Sequence, residues 1–288
     1  MTARRVQAIF NGSEPHIVGD GFPVQTFVPQ SGLDAEITPF LLLDYAGPHA
    51  FPPTDQPRGV DEHPHRGFET VTVIYQGEVE HRDSAGNSGR LGPGDVQWMT
   101  AASGLVHEEK HERAFAARGG TIEMVQLWVN LPRANKMVPP AYQDLRAADI
   151  PAIDVANGGG SVRVIAGSVD GRRGPARTFT PVGLFDVKLN AGARTEMPLV
   201  EGHNAAILVL RGRVTVDGKE IAAREMALLA SSGDRLAIEA ADASDLLVMS
   251  GEPIREPVAR YGPFVMNTRE ELLQAVHDYQ SGQMGHLT

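Results

Sequence analysis

The chain has 288 residues, enough for two modest domains or one large one, and no cysteine, which excludes disulfides, thiolate zinc sites, iron-sulfur clusters and a cysteine nucleophile together. Its 26 Lys and Arg against 36 Asp and Glu give a net charge of −10 without a basic run longer than a pair, so direct nucleic-acid binding is not expected. The apolar runs are too short to span a bilayer and the start, MTARRVQAIFNGSEPH, carries no apolar signal region, so a cytoplasmic protein is expected, with any metal held on nitrogen and oxygen.

In chain order the first motif is His63-Pro64-His65, entering a strand. Alternate strand residues share a face, so both imidazoles can converge on one ion. The same parity carries on to Glu69, which makes it a candidate orienter of ligands or proton acceptor. Val71 to Glu80 (VTVIYQGEVE) is strand chemistry interrupted at Gly77, where a bend or bulge is expected. HRDSAGNSGR follows as a polar turn region that places His81 at the rim. After it LGPGDVQWMT restarts an apolar strand.

SGLVHEEKHE then supplies His107 and Glu109, again two residues apart; an antiparallel return can bring them to face His63 and His65, the alternative being a pair of surface turns that happen to hold histidines. His111, like His81, reads as a surface or rim residue. TIEMVQLWVNLP closes the set, with Trp98, Met99 and Trp128 read as core. These are four or five strands of one antiparallel sheet.

Periodicity lapses in VPPAYQDLRAADIP and at Gly158 to Gly160, the expected join of two domains, 1-138 and 139-288. AAILVLRGRVTV, a DGKE turn and EIAAREMALLASSGDRLAIEA then repeat the strand, glycine, strand plan 135 residues later, which implies duplication. His63 and His65 lie 14 and 12 residues before Gly77, and the same offsets before Gly212 fall on Pro198 and Val200. Near the second motif the repeat offers Glu239 without a histidine, so the second domain is expected to lack the metal site and to be structural or interactive. His203 reads as solvated or hydrogen-bonded. Thr268 and Glu271 form a capping box opening a helix, with Leu272, Leu273, Val276 and Tyr279 on one face and Gly282 ending it.

HPHRGFETVTVIYQGEVEHRD, GPGDVQWMTAASGLVHEE, QLWVNLPRANKMVPPAYQ and REPVARYGPFVMNTREE resemble the pirin family of the cupin superfamily, over residues 63 to 271. The resemblance implies an all-β bicupin: two antiparallel β-barrel or jelly-roll domains and a short C-terminal helix. It also implies one metal ion in the N-terminal barrel, usually Fe(II), with His63, His65, His107 and Glu109 as ligands. Such a donor set accepts Mn, Ni, Co, Cu or Zn as well.

The activity it implies is that of a quercetin 2,3-dioxygenase. A flavonol binds the metal through its 3-hydroxyl and neighbouring carbonyl, Glu109 or Glu69 accepts the proton, and O2 opens the ring with loss of carbon monoxide. The alternative it implies is a metal- or redox-dependent binding protein that modulates a transcription factor or a metabolic enzyme.

Overall fold

The structure, a computed structural model, describes residues 2–29 and 32–287. Strands rich in β-branched and aromatic residues pair antiparallel into two copies of one plan, each with a seven-stranded and a four-stranded sheet. In the first copy the four-stranded sheet runs Gly59–His65, Leu105–His111, Val79–Asp83, Ser88–Leu91. The central strands of its larger sheet are Val96–Thr100, Phe68–Gln76, Gly120–Asn130 and Phe40–Phe51. The second copy matches it, with Arg194–Pro198, Arg235–Ala240, Arg213–Val216 and Lys219–Ala222 as the smaller sheet.

The two landmark glycines do more than bend a strand. Gly77 (φ +84°) and Gly212 (φ +77°) sit where the chain leaves a seven-stranded sheet and enters the four-stranded one. The left-handed backbone needed there is one that glycine adopts without steric cost.

The interiors of the two copies differ. Between the sheets of the second lies a continuous apolar cluster that includes Val164, Val187, Met197, Ile207, Leu236, Ile238 and Val248. Burying each such side chain contributes about 1.5–3 kcal/mol, so this barrel needs nothing else to hold it closed. The first copy has a smaller apolar cluster around Phe22, Ile74, Leu91, Phe115 and Met124, and also buries polar side chains such as His65, Thr72, His81, Gln97, His107 and Glu109.

A single cut near residue 138 does not follow the packing. Of the described residues, one compact unit draws on 2–13, 32–39 and 148–253, the other on 14–29, 40–147 and 254–287. Val6–Asn11 pairs with Glu225–Leu229, and the proline-rich stretch expected to be the join contains Ala141–Leu145, which pairs with Val96–Thr100 of the first barrel. The helix spans Arg269–Gln280 and carries the full Thr268/Glu271 capping box. Its buried face is Leu272, Ala275 and Asp278, while Leu273 and Tyr279 are exposed, because Asp278 accepts from Arg66 Nη1 at 2.8 Å. None of the described helices is long and apolar enough to cross a membrane.

Candidate metal centre

The His63 strand ends where it does because of Gly67. At φ +93°, with Val265 O only 1.9 Å from where a Cβ would lie, this position admits glycine, and the chain turns there into the larger sheet. Buried side chains pin the turn. Arg66 Nε donates to Ser103 O at 2.7 Å, and Lys136 Nζ donates to Gly67 O at 2.7 Å, Asn130 Oδ1 at 2.6 Å and Val265 O at 3.0 Å.

Across the smaller sheet His107 stands directly opposite His63 on one side and Asp83 on the other. A register shift after His107 leaves Glu109 opposite Val60 and, on the other neighbour, opposite His81. Directly opposed residues share a face, so one inward row holds His63, His65, His107, Glu109, His81 and Asp83. Ring centroids are 4.2 Å apart for His63 and His107, 4.8 Å for His63 and His65, and 4.9 Å for His65 and His107. Potential ligand atoms of these three rings lie within 4.8 Å of one another, and those of His81, His107 and Glu109 do so too.

The nitrogens of this cluster are divided in a telling way. His63 Nδ1 is 2.7 Å from Asp61 O, which fixes it as a donor and leaves Nε2 with its lone pair. His65 Nδ1 and His107 Nε2 are buried and have no hydrogen-bond partner among the described residues. A buried polar atom without a partner is costly, and a metal ion is the partner that a neutral imidazole nitrogen takes. Burial first, then the neighbouring imidazoles, hold His65 and His107 well below the ordinary histidine range, which keeps both neutral as ligands must be. Glu109 is 5% exposed, and its Oε1 lies 3.2 Å from Thr72 Oγ1, a donor that also reaches Gln126 Oε1 at 2.8 Å. The residues present therefore fit a divalent ion on nitrogen and oxygen.

Four sequence expectations change. His81 and His111 are each 1% exposed, not rim residues. His81 belongs to the inward row, and His111 packs edge-on against Phe22, Phe51 and Phe115, with Nε2 3.0 Å from Gly21 O. Trp128 is not simply core, since its indole stacks on Phe68 at 4.3 Å and meets the His65 ring at 5.2 Å.

Glu69 is the fourth. It lies in the larger sheet opposite Thr100 and accepts from Thr100 Oγ1 at 2.7 Å. Thr72, three residues on, reaches Glu109, so period-two alternation turns Glu69 to the opposite face, away from the imidazoles. The parity count from His65 fails because Gly67 breaks the strand.

Burial raises the Glu69 carboxyl to about 7, against the hydrogen bond from Thr100. The folded protein therefore binds this proton more tightly than the unfolded chain, whose value lies near 4.5. The contribution is complete below that lower value and is lost as the pH rises through the folded one. Glu69→Gln keeps an acceptor for Thr100 without the ionisation. Denaturant unfolding at pH 8 is expected to find it about 1 to 3 kcal/mol more stable than wild type, with the two alike near pH 5; equal stability at both pH values would contradict the assignment.

In the second barrel Pro198 and Val200 stand at the offsets of the histidine pair, and Leu236 and Ile238 enter the apolar cluster. Among the described residues, every His/Asp/Glu group that can hold a metal lies in the first barrel. His203 is partly buried, and its carbonyl accepts from Arg4 Nη1 at 2.6 Å.

Comparison with known proteins agrees with this architecture. The pirin family model matches residues 21–129, and the model of the pirin C-terminal cupin domain matches 184–285. A Pseudomonas aeruginosa protein named "Putative quercetin 2,3-dioxygenase" is 52% identical over 97% of this chain and 98% of its own. Mouse pirin is 38% identical over 86% of this chain and 83% of its own. The crystal structure of quercetin 2,3-dioxygenase from Acinetobacter baumannii superposes with a TM-score of 0.96 at 44% identity, covering 100% of both chains.

Proposed function

The chain belongs to the pirin family, and from that premise we propose that its first barrel, which holds the histidine cluster, is a metal-dependent dioxygenase. Its substrate in this reading is a flavonol such as quercetin, cleaved with O2 to a depside with release of carbon monoxide. The observation that carries the reading is the convergence of three imidazoles, two of them with buried nitrogens that have no partner among the described residues. The name of the Pseudomonas relative and the identity of the Acinetobacter enzyme support the substrate class.

His63, His65, His107 and Glu109 would hold one ion, with Fe(II) as the native metal. When bound, that ion supplies Lewis acidity, which lowers the pKa of a coordinated hydroxyl. Glu109 accepts the hydroxyl proton on a carboxylate that Thr72 orients. Trp128, backed by the buried Phe68, offers a flat aromatic wall beside His65 for a flavonol ring. His63 is the partly exposed member of the cluster, so the site opens to solvent on its side.

The test is aerobic incubation of the iron-loaded protein with quercetin, following the flavonol absorption band and carbon monoxide together. Turnover that disappears on chelation and returns with iron is the expected result. No carbon monoxide from protein with confirmed metal occupancy would sink the reading.

A further inference from the structure

His81 lies beside the imidazole cluster but belongs to neither ligand motif. Its Nε2 is 3.3 Å from Asp83 Oδ2, and both side chains are fully buried. Asp83 is an acceptor on all sides: its oxygens take Ala85 N at 3.0 Å, Asn87 N at 2.9 Å and Asn87 Nδ2 at 2.9 Å. A carboxylate in that role requires the proton of His81 to sit on Nε2. Nδ1 of His81 then carries the single lone pair, with the amide donor Gln97 Nε2 and the ring nitrogen His107 Nδ1 each 3.3 Å from it. Tyr142 stacks on the His81 ring at 5.2 Å and 22°, so the ring plane is held as well.

One step further along, the direction of the chain becomes fixed. A lone pair on His107 Nδ1 would face that of His81 at 3.3 Å and repel it, so the His107 proton is placed on Nδ1 and its lone pair on Nε2. That is the buried nitrogen without a partner, on the ring that packs against His63 and His65. Which nitrogen of a histidine binds a metal is set by the hydrogen bond that the other nitrogen makes.

We propose that His81, oriented by Asp83, is a positioning residue that locks His107 in the Nδ1–H tautomer and so presents Nε2 for ligation. The claim rests on the metal site proposed above, but the tautomer can be read without metal. His81 touches no reacting atom and acts only through His107.

The test uses the full chain with 15N-labelled histidine, together with His81→Leu and His81→Asn. Leucine removes the acceptor, whereas the Oδ1 of asparagine occupies the place of a histidine Nδ1 and restores it. In metal-free wild type, two-bond 1H–15N spectra are expected to show His107 protonated on Nδ1 alone. In His81→Leu that single-tautomer pattern is lost, and zinc affinity measured by chelator competition falls about 10–100-fold. In His81→Asn both return to within about threefold of wild type.

A wild-type His107 protonated on Nε2 would overturn the proposal. So would a His81→Leu protein that keeps the Nδ1–H tautomer and binds zinc as wild type does. A leucine variant that does not fold leaves the wild-type spectrum and the asparagine variant to decide. Wild-type protein that takes up no zinc would count against the metal site itself, and the tautomer measurement would still judge the relay.

Discussion

Replacing His63 and His107 together by alanine is expected to abolish metal retention and quercetin turnover at once. Two of the three convergent imidazoles are gone, and His65 and Glu109 alone remain from the set. Four-ligand sites draw on the order of 10 kcal/mol or more from their donors, so losing half of them should weaken binding by at least about 1,000-fold. Metal content of protein isolated without chelators, measured beside carbon monoxide release, checks both effects.

The single variants refine that result, because the structure offers two overlapping groups. His63, His65 and His107 form one and His81, His107 and Glu109 the other, with His107 common to both. The double variant disables either. His63→Ala touches the first group alone and is expected to lose metal. If it keeps one ion per chain while His81→Ala releases it, the ion belongs to the second group and the ligand assignment must move.

Much of this arrangement was legible because strands impose a period of two. His63-x-His65 and His107-x-Glu109 obey it, and both pairs lie in the inward row of the smaller sheet. The repeat of strand, glycine and strand was legible for a related reason. A sheet-to-sheet crossing demands a left-handed backbone, and Gly77 and Gly212 mark the two crossings.

The same rule could have found His81-x-Asp83, which is also spaced by two and follows Gly77 directly. It was hidden because Asp83 and Asn87 serve a tight turn, and their side chains bond within it, so the segment has the composition of a loop. Glu69 shows the converse error, where a period was carried across a break. The helix face departs from its apolar pattern for a third reason. Leu273 and Tyr279 fit an apolar stripe, but the buried Arg66–Asp278 pair turns the face carrying Asp278 inward. Pairs that far apart in the chain leave no local signal.

Lys136 carries that lesson to its largest consequence. It lies in a proline-rich stretch, and nothing in its neighbours marks it as buried, yet it is 1% exposed. Its Nζ reaches three oxygens, Gly67 O, Asn130 Oδ1 and Val265 O, one for each N–H of an ammonium. Lys136→Met fills nearly the same volume and leaves these acceptors buried without a donor. At about 1–3 kcal/mol for each unsatisfied group, a loss of roughly 3 kcal/mol or more is expected. Unfolding should then begin about 6–12 °C lower.

Because Gly67 is the residue at which the His63 strand turns and Val265 packs against that turn, the damage should not stop at stability. His65 is two residues away, so metal affinity at temperatures where the variant remains folded is expected to fall as well. Calorimetry and chelator competition on the same preparation separate the two effects. A Lys136→Met protein as stable as wild type would show that the three oxygens do not depend on the ammonium. One that is destabilised but binds metal normally would show that the turn at Gly67 holds its shape without the lysine.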